Sequence, residues 1–291
     1  MEQEIILDNK KQRMAAVTGA GSGLGRDIAL GLAARNYRVF GTALTPDEIE
    51  DLKRASSGAV TLTICDITDA IGVKNWAREV ATHTQGSLNL LINNAGILTP
   101  GPLEILPLDA VRREFEVNVF GALSVMNAFL PALRRARGRI VQISSFTASL
   151  PLPFNGASGA SKAATEVFAA VYRAELKHLG VDVVVVPAGI MRTGGPAKTD
   201  AAVERIADGM TPEQRELYGR TFAIFAKGLN AMQKGGLDSA SAARRVIEIA
   251  EQVPAPSRAP VGEDAEEILR FVREKSDAEQ DALRLKLVGL S

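Results

Sequence analysis

The sequence of 291 residues predicts an α/β protein built on a doubly wound parallel sheet. Short apolar, β-branched segments alternate along the chain with longer segments of helical periodicity. Some of the short segments are apolar throughout, as at 183–186, which is typical of strands covered on both faces. This alternation also predicts right-handed connections between neighbouring strands.

The individual elements follow from the same pattern. Strands are predicted at 14–18, 37–42, 60–65, 88–92, 139–144 and 181–186, with a short one near 259–261. A long amphipathic helix is predicted over 107–137, with Pro107 in its first turn and a kink at Pro131. Further helices are predicted at 200–208, 212–233 and 239–251.

These elements predict a single domain over 1–291. Within it, 190–251 is expected to form a helical lid over the substrate, and 262–291 a C-terminal helical extension. The lid sequence carries an apolar stripe at helical spacing, which fits either ordinary core or the wall of a lipophilic pocket. The residues of this stripe are Met210, Leu217, Phe222, Phe225, Leu229 and Met232.

The composition indicates where the protein is expected to act and which classes of partner it is expected to bind. Basic and acidic residues number 34 each, so no net charge attracts nucleic acid or an acidic membrane. The single cysteine, Cys65, excludes an internal disulfide and fits a reducing cytosol, and with two histidines no metal site is predicted. The only apolar run in 1–13 is too short for a signal peptide or a membrane span. We therefore expect a cytoplasmic protein that acts on a small molecule.

A glycine-rich segment, TGAGSGLG at 18–25, follows the first predicted strand and opens a helix. Glycines there permit a tight turn and let the backbone approach a pyrophosphate at the helix N-terminus. A plain strand–helix turn has a similar composition, but the position after the first strand favours a dinucleotide site. The candidate binding residues are Gly19, Gly21, Ser22, Gly23, Leu24 and Gly25.

Polar residues also follow three later strands. Asp66 and Ile67 come after the third strand, Asn94, Ala95 and Gly96 after the fourth, and Ser145 closes the fifth. Taken singly, these residues fit turn or loop positions. Ligands of open α/β sheets bind outside the carboxyl ends of the strands, so together they predict one crevice.

These motifs resemble the short-chain dehydrogenase/reductase family. Its TGxxxGxG signature matches Thr18, Gly19, Gly23 and Gly25, its NNAG motif matches 93–96, and its mid-helix asparagine matches Asn118. The resemblance covers roughly 14–195. The segment 256–262 is more weakly similar to members that act on hydroxysteroids, retinoids and related lipophilic alcohols.

The resemblance implies a Rossmann fold, NAD(P)(H) as cofactor, hydride transfer between a secondary alcohol and a ketone, and a homo-oligomer. In the family a Ser–Tyr–Lys set does the chemistry, and an asparagine holds a water chain. The serine is then Ser145, the lysine that also binds the nicotinamide ribose is Lys162, and the asparagine is Asn118. Gly189, Ile190 and Thr193 match the segment that meets the nicotinamide, although Thr193 also fits a helix cap.

The tyrosine position holds Ser158. Ser158 and Lys162 share a helix face at i and i+4, but an aliphatic hydroxyl cannot be tuned toward neutrality as a phenol can. Loss of a general acid costs about 10²–10⁴-fold in rate, so the chain is expected to be slowed or inactive.

Several explanations of Ser158 stay open. The serine is an introduced change, or a natural one in a nucleotide-binding pseudoenzyme, or another donor compensates for the tyrosine. The donors considered are a water held by Ser158 and Lys162, and Tyr218 of the lid. A non-redox or alkene-directed activity would not need the tyrosine.

The sequence leaves the choice between NAD and NADP undecided. NAD-selective members carry an acid at the end of the second strand, where this chain has Leu44. NADP-selective members often carry a cation there or in the glycine turn, where this chain has Ser22.

Overall fold

A computed structural model describes residues 12–192 and 195–290, with only the backbone described at 195–200. Six parallel strands form one sheet in the order β3-β2-β1-β4-β5-β6. Their bounds are β1 Arg13–Val17, β2 Tyr37–Ala43, β3 Val60–Ile64, β4 Leu90–Asn93, β5 Arg139–Ser145 and β6 Asp182–Ala188. The strand order reverses between β1 and β4, which places the ligand crevice of such a sheet at their carboxyl ends. The predicted fold class is confirmed.

Helices cover both faces of the sheet. On one face, α1 (Gly23–Ala33) and α9 (Ser239–Glu251) pack against the sheet, and α2 (Pro46–Ala55) follows β2. On the other face lie α3 (Ala70–His83), α5 (Ala122–Ala136) and α6 (Gly156–Leu176). Trp76 of α3 and Phe129 of α5 meet edge to face in this second core, with ring centroids 4.8 Å apart.

The helix predicted over 107–137 runs from 108 to 136 in three parts. It begins as α4 (Leu108–Phe115), passes through a π-helical turn at Glu116–Gly121, and continues as α5. Pro107 immediately precedes α4, and α5 continues past Pro131 to Ala136. Among the described residues this is the one helix whose length and apolar composition would suffice to cross a membrane. Phe129 and Met126 of α5 are buried in the core, which is the ordinary reason for such a composition.

The described part of the region 190–251 is mostly helical, and its role as a lid stays a prediction. It contains α7 (Gly195–Gly209) and α8 (Pro212–Gly235), which meet in a small apolar cluster of their own that includes Phe222 and Phe225. The sequence did not predict a two-stranded sheet here, formed by β7 (Met191–Arg192) and β8 (Leu237–Asp238). This sheet pairs the segment before α7 with the segment after α8.

The C-terminal region consists of α10 (Glu263–Glu274) and α11 (Asp277–Leu287). The strand predicted near 259–261 is present only as two isolated parallel bridges to β6, Val185 to Arg258 and Ala188 to Val261. Between the two bridges, Pro187 of β6 has no N–H to continue the ladder. The chain nevertheless passes along β6 at the edge of the sheet.

Candidate active site

The glycine-rich turn between β1 and α1 is shaped for a close approach of another group to the backbone. Gly19 and Gly23 adopt positive φ values of 63° and 54°, which side chains disfavour. A Cβ at Gly25 would lie 2.2 Å from the Gly19 carbonyl oxygen. Ser22 is the N-cap of α1, and its side chain makes no capping hydrogen bond within the described residues. The first N–H groups of α1 are therefore available to an anion, as a dinucleotide phosphate requires.

The Thr18 hydroxyl joins the ends of β1 and β4. It accepts hydrogen bonds from the backbone N–H groups of Asn94 and Ala95, each at 3.0 Å. The Asn94 side-chain amide donates in return to the Thr18 carbonyl oxygen at 3.0 Å. This reciprocal pairing fixes the asparagine loop beside the glycine turn, so the two predicted motifs come together.

An acid lies at the end of β2, although the sequence of that strand has none. Glu48, in the first turn of α2, accepts a hydrogen bond from the Leu44 N–H at 2.9 Å and completes a capping box with Thr45. A Cβ at Gly21 would lie 2.5 Å from a Glu48 carboxylate oxygen. The carboxylate therefore faces both the end of β2 and the glycine turn. Sequence reasoning missed it because the acid comes from the next helix, where it also fits a cap.

Asp66 and Ile67 follow β3 and have structural partners. The Asp66 carboxylate accepts from the Thr68 N–H at 3.0 Å and pairs with Arg113 at 2.9 Å. Burial alone would raise the pKa of Asp66, but the hydrogen bonds from Thr68 and Arg113 outweigh it and lower that pKa. Ile67 is buried, and a Cβ at Gly121 would lie 2.8 Å from its side chain. The part that Asp66 and Ile67 are expected to play in cofactor binding stays a prediction.

Asn118 lies inside the π-helical turn. Its side-chain oxygen accepts from the Ile97 N–H at 2.8 Å, and its amide donates to the Ile97 carbonyl at 3.0 Å and to the Ser161 hydroxyl at 3.0 Å. Single π turns inside α-helices are frequent at functional sites. This turn holds Asn118 between the loop after β4 and helix α6, and its catalytic role stays a prediction.

Lys162 of α6 reaches the same place. Its ammonium donates to the Ile143 carbonyl at 3.3 Å. A Cβ at Gly96 would lie 3.1 Å from the Asn118 side-chain oxygen and 3.3 Å from the Lys162 Nζ. Burial lowers the pKa of Lys162, while the charges of Glu114 and Glu166 oppose that effect. Gly96, Asn118 and Lys162 therefore form one polar cluster.

A cavity of about 310 Å³ opens onto this cluster. Its polar lining includes Asn94, Ser145, Ser158 and Lys162, and the backbone at Gly96, Gly189 and Ile190 also lines it. The Ser145 hydroxyl accepts from the Thr147 N–H at 3.2 Å and from the Thr147 hydroxyl at 2.9 Å. Its apolar side includes Leu98, Leu152, Met191, Leu229 and Met232. The structure therefore brings three of the four candidate catalytic residues to one cavity wall, with Asn118 behind it.

Glu114 is a functional candidate that the sequence did not reveal. Its side chain is fully buried, and its carboxylate accepts from the Thr99 N–H at 2.9 Å and from the Asn118 amide at 3.4 Å. Burial raises the pKa of Glu114 to about 7, against the opposing effects of the hydrogen bond from Thr99 and of the Lys162 charge. In the sequence, Glu114 is one of several charged residues of a helix. Only its i to i+4 spacing from Asn118 could have indicated that it lies on the same helix face as the candidate site.

Two further candidates have different outcomes. The Tyr218 hydroxyl donates to Glu104, and Tyr218 is not among the described residues that line the cavity. The compensating role considered for Tyr218 therefore has no geometric support. Thr193 lies outside the described residues. The described residues contain no cluster of three or more acidic, histidine or cysteine side chains suited to a metal ion.

The strand order, the glycine turn and the polar cavity define a dinucleotide-binding α/β protein. The sequence pattern described as "short chain dehydrogenase" matches residues 13–204. The chain belongs to the short-chain dehydrogenase family, and it is an oxidoreductase that uses NAD(P)(H).

Named relatives and solved structures agree with this assignment. The chain is 34% identical to estradiol 17-beta-dehydrogenase 2 of Rattus norvegicus over 218 residues, covering 72% of this chain but only 57% of that protein. It is 38% identical to retinol dehydrogenase 5 of Homo sapiens over 212 residues, covering 71% of this chain and 66% of that one. A short-chain dehydrogenase structure from Streptomyces avermitilis superposes with a TM-score of 0.77 at 27% identity, covering 97% of this chain and 100% of the other. One from Burkholderia cenocepacia in complex with NADP superposes with a TM-score of 0.71 at 28% identity, covering 95% and 98%.

Proposed function

We propose that this enzyme transfers a hydride between a secondary alcohol and a ketone in the cavity lined by Ser145, Ser158 and Lys162. The observation that carries the proposal is that these three side chains line one cavity together with a set of apolar side chains that includes Leu229 and Met232. When bound, the nicotinamide cofactor supplies or accepts the hydride. The chain binds the cofactor phosphates at the turn 19–25, and Lys162 holds the ribose.

The protein's own groups orient the substrate oxygen. The Ser145 hydroxyl accepts two hydrogen bonds from Thr147, so its own proton is free to point into the cavity. Lys162 adds a positive charge at the same wall, and Asn118 stabilises the loop beside it through its two bonds to Ile97. A carbonyl oxygen bound here meets preorganised donors, which stabilise the negative charge that develops as hydride adds.

We further propose a lipophilic substrate. Two relatives, an estradiol dehydrogenase and a retinol dehydrogenase, are named for lipophilic alcohols. In this chain Leu229 and Met232 of α8 line the cavity, which supports a covering role for the helical region 190–251. Phe222 and Phe225 of the same stripe are instead core residues, in contact with Phe154.

The Glu48 carboxylate favours NAD(H) over NADP(H). It lies beside Gly21 and the end of β2, where members of this family bind the adenosine ribose. A carboxylate there accepts a hydrogen bond from a ribose hydroxyl and repels a phosphate. The cytoplasmic location and the homo-oligomer stay predictions, which fractionation and light scattering would check.

Titration with NADH and NADPH, followed by nicotinamide fluorescence and thermal shift, tests the cofactor site. A ligand that binds only the folded state raises its stability, so the shift ranks the two cofactors. Reduction of a panel of aliphatic, aromatic and steroid ketones then tests the reaction, with Ser145→Ala as the variant expected to lose turnover. Binding without turnover of any ketone would favour a nucleotide-binding pseudoenzyme.

A further inference from the structure

We propose that the amide side chains of Asn155 and Gln233 recognise a hydroxyl group on the substrate, so that the enzyme acts on a hydroxyketone rather than on a ketone without a second polar group. This inference rests on the hydride transfer proposed above, and it names the class of substrate for the same cavity. An apolar wall discriminates weakly between substrates of similar shape, whereas a buried polar group that needs a partner discriminates strongly.

Asn155 has a side chain whose hydrogen-bonding capacity the fold does not use. It is the N-cap residue of α6, a position at which an asparagine side chain usually accepts a hydrogen bond from the helix. Its side chain makes no capping bond, and its oxygen has no partner among the described residues, although the residue is only 9% exposed. Asn155 also lines the cavity. Buried polar groups are almost always hydrogen-bonded, so this exception at a cavity indicates a partner that the ligand supplies.

The backbone before Asn155 is held in a strained conformation. Phe154 has a φ of 59°, in the left-handed region that bulky side chains rarely adopt. Its ring packs edge to face against Phe222 and Phe225 of α8, with ring centroids 5.4 and 5.5 Å apart. Its carbonyl oxygen accepts from the Gly101 N–H at 2.7 Å. Strain of this kind clusters at ligand-binding sites, and here these contacts fix the position of Asn155 at the cavity.

A second amide of the same kind lines the cavity from α8. The Gln233 side-chain oxygen is buried and has no hydrogen-bond partner among the described residues. Two amides with unused capacity, one at the start of α6 and one in α8, therefore line one cavity. Among the described residues that line it, Lys162 is the one that carries a charge. A cationic group on the substrate would have no counterion there, and the uncharged amides favour an uncharged polar partner.

A hydroxyl group suits these amides because it pairs with either end of them. A half-turn of a carboxamide exchanges its oxygen and its NH₂ group, which have nearly the same shape, so each side chain can present an acceptor or a donor to the cavity. A hydroxyl group both donates and accepts. Asn155 lies three residues before Ser158, and this spacing corresponds to one helical turn, or ~5 Å. The hydroxyl is therefore expected within a few bonds of the reacting carbonyl, as in an α- or β-hydroxyketone.

The test compares a medium-chain methyl ketone with its α-hydroxy and β-hydroxy derivatives. With the wild type, kcat/KM for the better hydroxyketone should exceed that for the plain ketone by about tenfold to a hundredfold, the effect of leaving a buried polar group unpaired. Isothermal titration of the protein loaded with the oxidised cofactor, which cannot reduce the carbonyl, should rank the dissociation constants in the same order. This second measurement does not depend on turnover, so it also applies to a slow enzyme.

The variants Asn155→Leu and Gln233→Met replace each amide by an apolar side chain of similar shape. Each should lower the preference for the hydroxyketone by about fivefold or more, because the hydroxyl loses a partner. The matched control is Asn230→Leu. Asn230 lies on the same helix as Gln233, and its side-chain oxygen also has no partner among the described residues, but it is not among those that line the cavity. This control should keep the wild-type preference, and thermal unfolding of each variant checks that it is folded.

The outcomes are distinguishable. If the wild type reduces the plain ketone and both hydroxyketones with equal kcat/KM, the amides bind only water, the recognition is refuted, and the proposed reaction stands. A preference that persists in both Asn155→Leu and Gln233→Met, or that is also lost in Asn230→Leu, would refute the assignment to these two amides. If the protein binds a hydroxyketone more tightly than the ketone but reduces neither, the recognition stands and the proposed reaction fails. Equal dissociation constants without turnover would refute both.

Discussion

The buried carboxyl of Glu114 makes the stability of the protein depend on pH. Its pKa is raised from 4.5 to about 7 in the folded state, so the folded protein binds this proton more tightly than the unfolded chain does. The stabilising effect of protonation is therefore fully present below about pH 4.5, and it is lost as the pH rises toward about 7. Since a tenfold change in a dissociation constant corresponds to 1.36 kcal/mol, the loss amounts to about 3 kcal/mol.

Urea unfolding of the wild type and Glu114→Gln, from about pH 4 to about pH 8, measures this contribution. The free energy of unfolding of the wild type should fall by about 3 kcal/mol more than that of the variant across this window. A constant difference between the two, such as a weaker hydrogen bond of the amide, does not affect the comparison of slopes. Glu116→Gln should follow the wild type, because Glu116 is exposed. Parallel curves for the wild type and Glu114→Gln would refute the argument.

Three further predictions concern other parts of the structure. Gly25→Ala should weaken the binding of both NADH and NADPH by at least about tenfold in fluorescence titrations, because the added Cβ would lie 2.2 Å from the Gly19 carbonyl oxygen. Glu48→Gln should shift the ratio of NADPH to NADH affinity toward NADPH by about fivefold, roughly 1 kcal/mol for a partly exposed charge; an unchanged ratio would contradict the role given to Glu48. Trp76→Ala should cost about 3–5 kcal/mol in urea unfolding, because Trp76 is buried against Phe129.

The strands and the crevice could be predicted from the sequence because their signals are local. The six strands are short segments rich in apolar and β-branched residues, and Thr18 and Asn94 directly follow β1 and β4. The topology of a parallel sheet then brings Thr18 and Asn94 together without further information. These predictions needed only element type and order.

The two acids beside the site could not be predicted in the same way. Glu114 lies in a helix rich in charged residues, and only the packing of α6 and of the loop at Thr99 buries it. Glu48 was missed because the expected acid belongs to the strand, whereas this one comes from the following helix. The sheet of β7 and β8 was missed because two-residue strands carry no periodic signal.

The π turn at Glu116–Gly121 also has a consequence for how this helix can change by insertion and deletion. A π turn amounts to one extra residue in an α-helix, and one residue corresponds to about 100° of rotation. The π turn therefore determines the direction in which the side chains of α4 point. Helix α5 keeps its own orientation, because its Phe129 is buried in the core. Deleting one residue there should restore a regular helix, keep α5 against the sheet, and rotate Glu114 by about 100° away from the Thr99 N–H that it bonds. A single codon at this turn thus decides whether the acid keeps its buried hydrogen bond to Thr99.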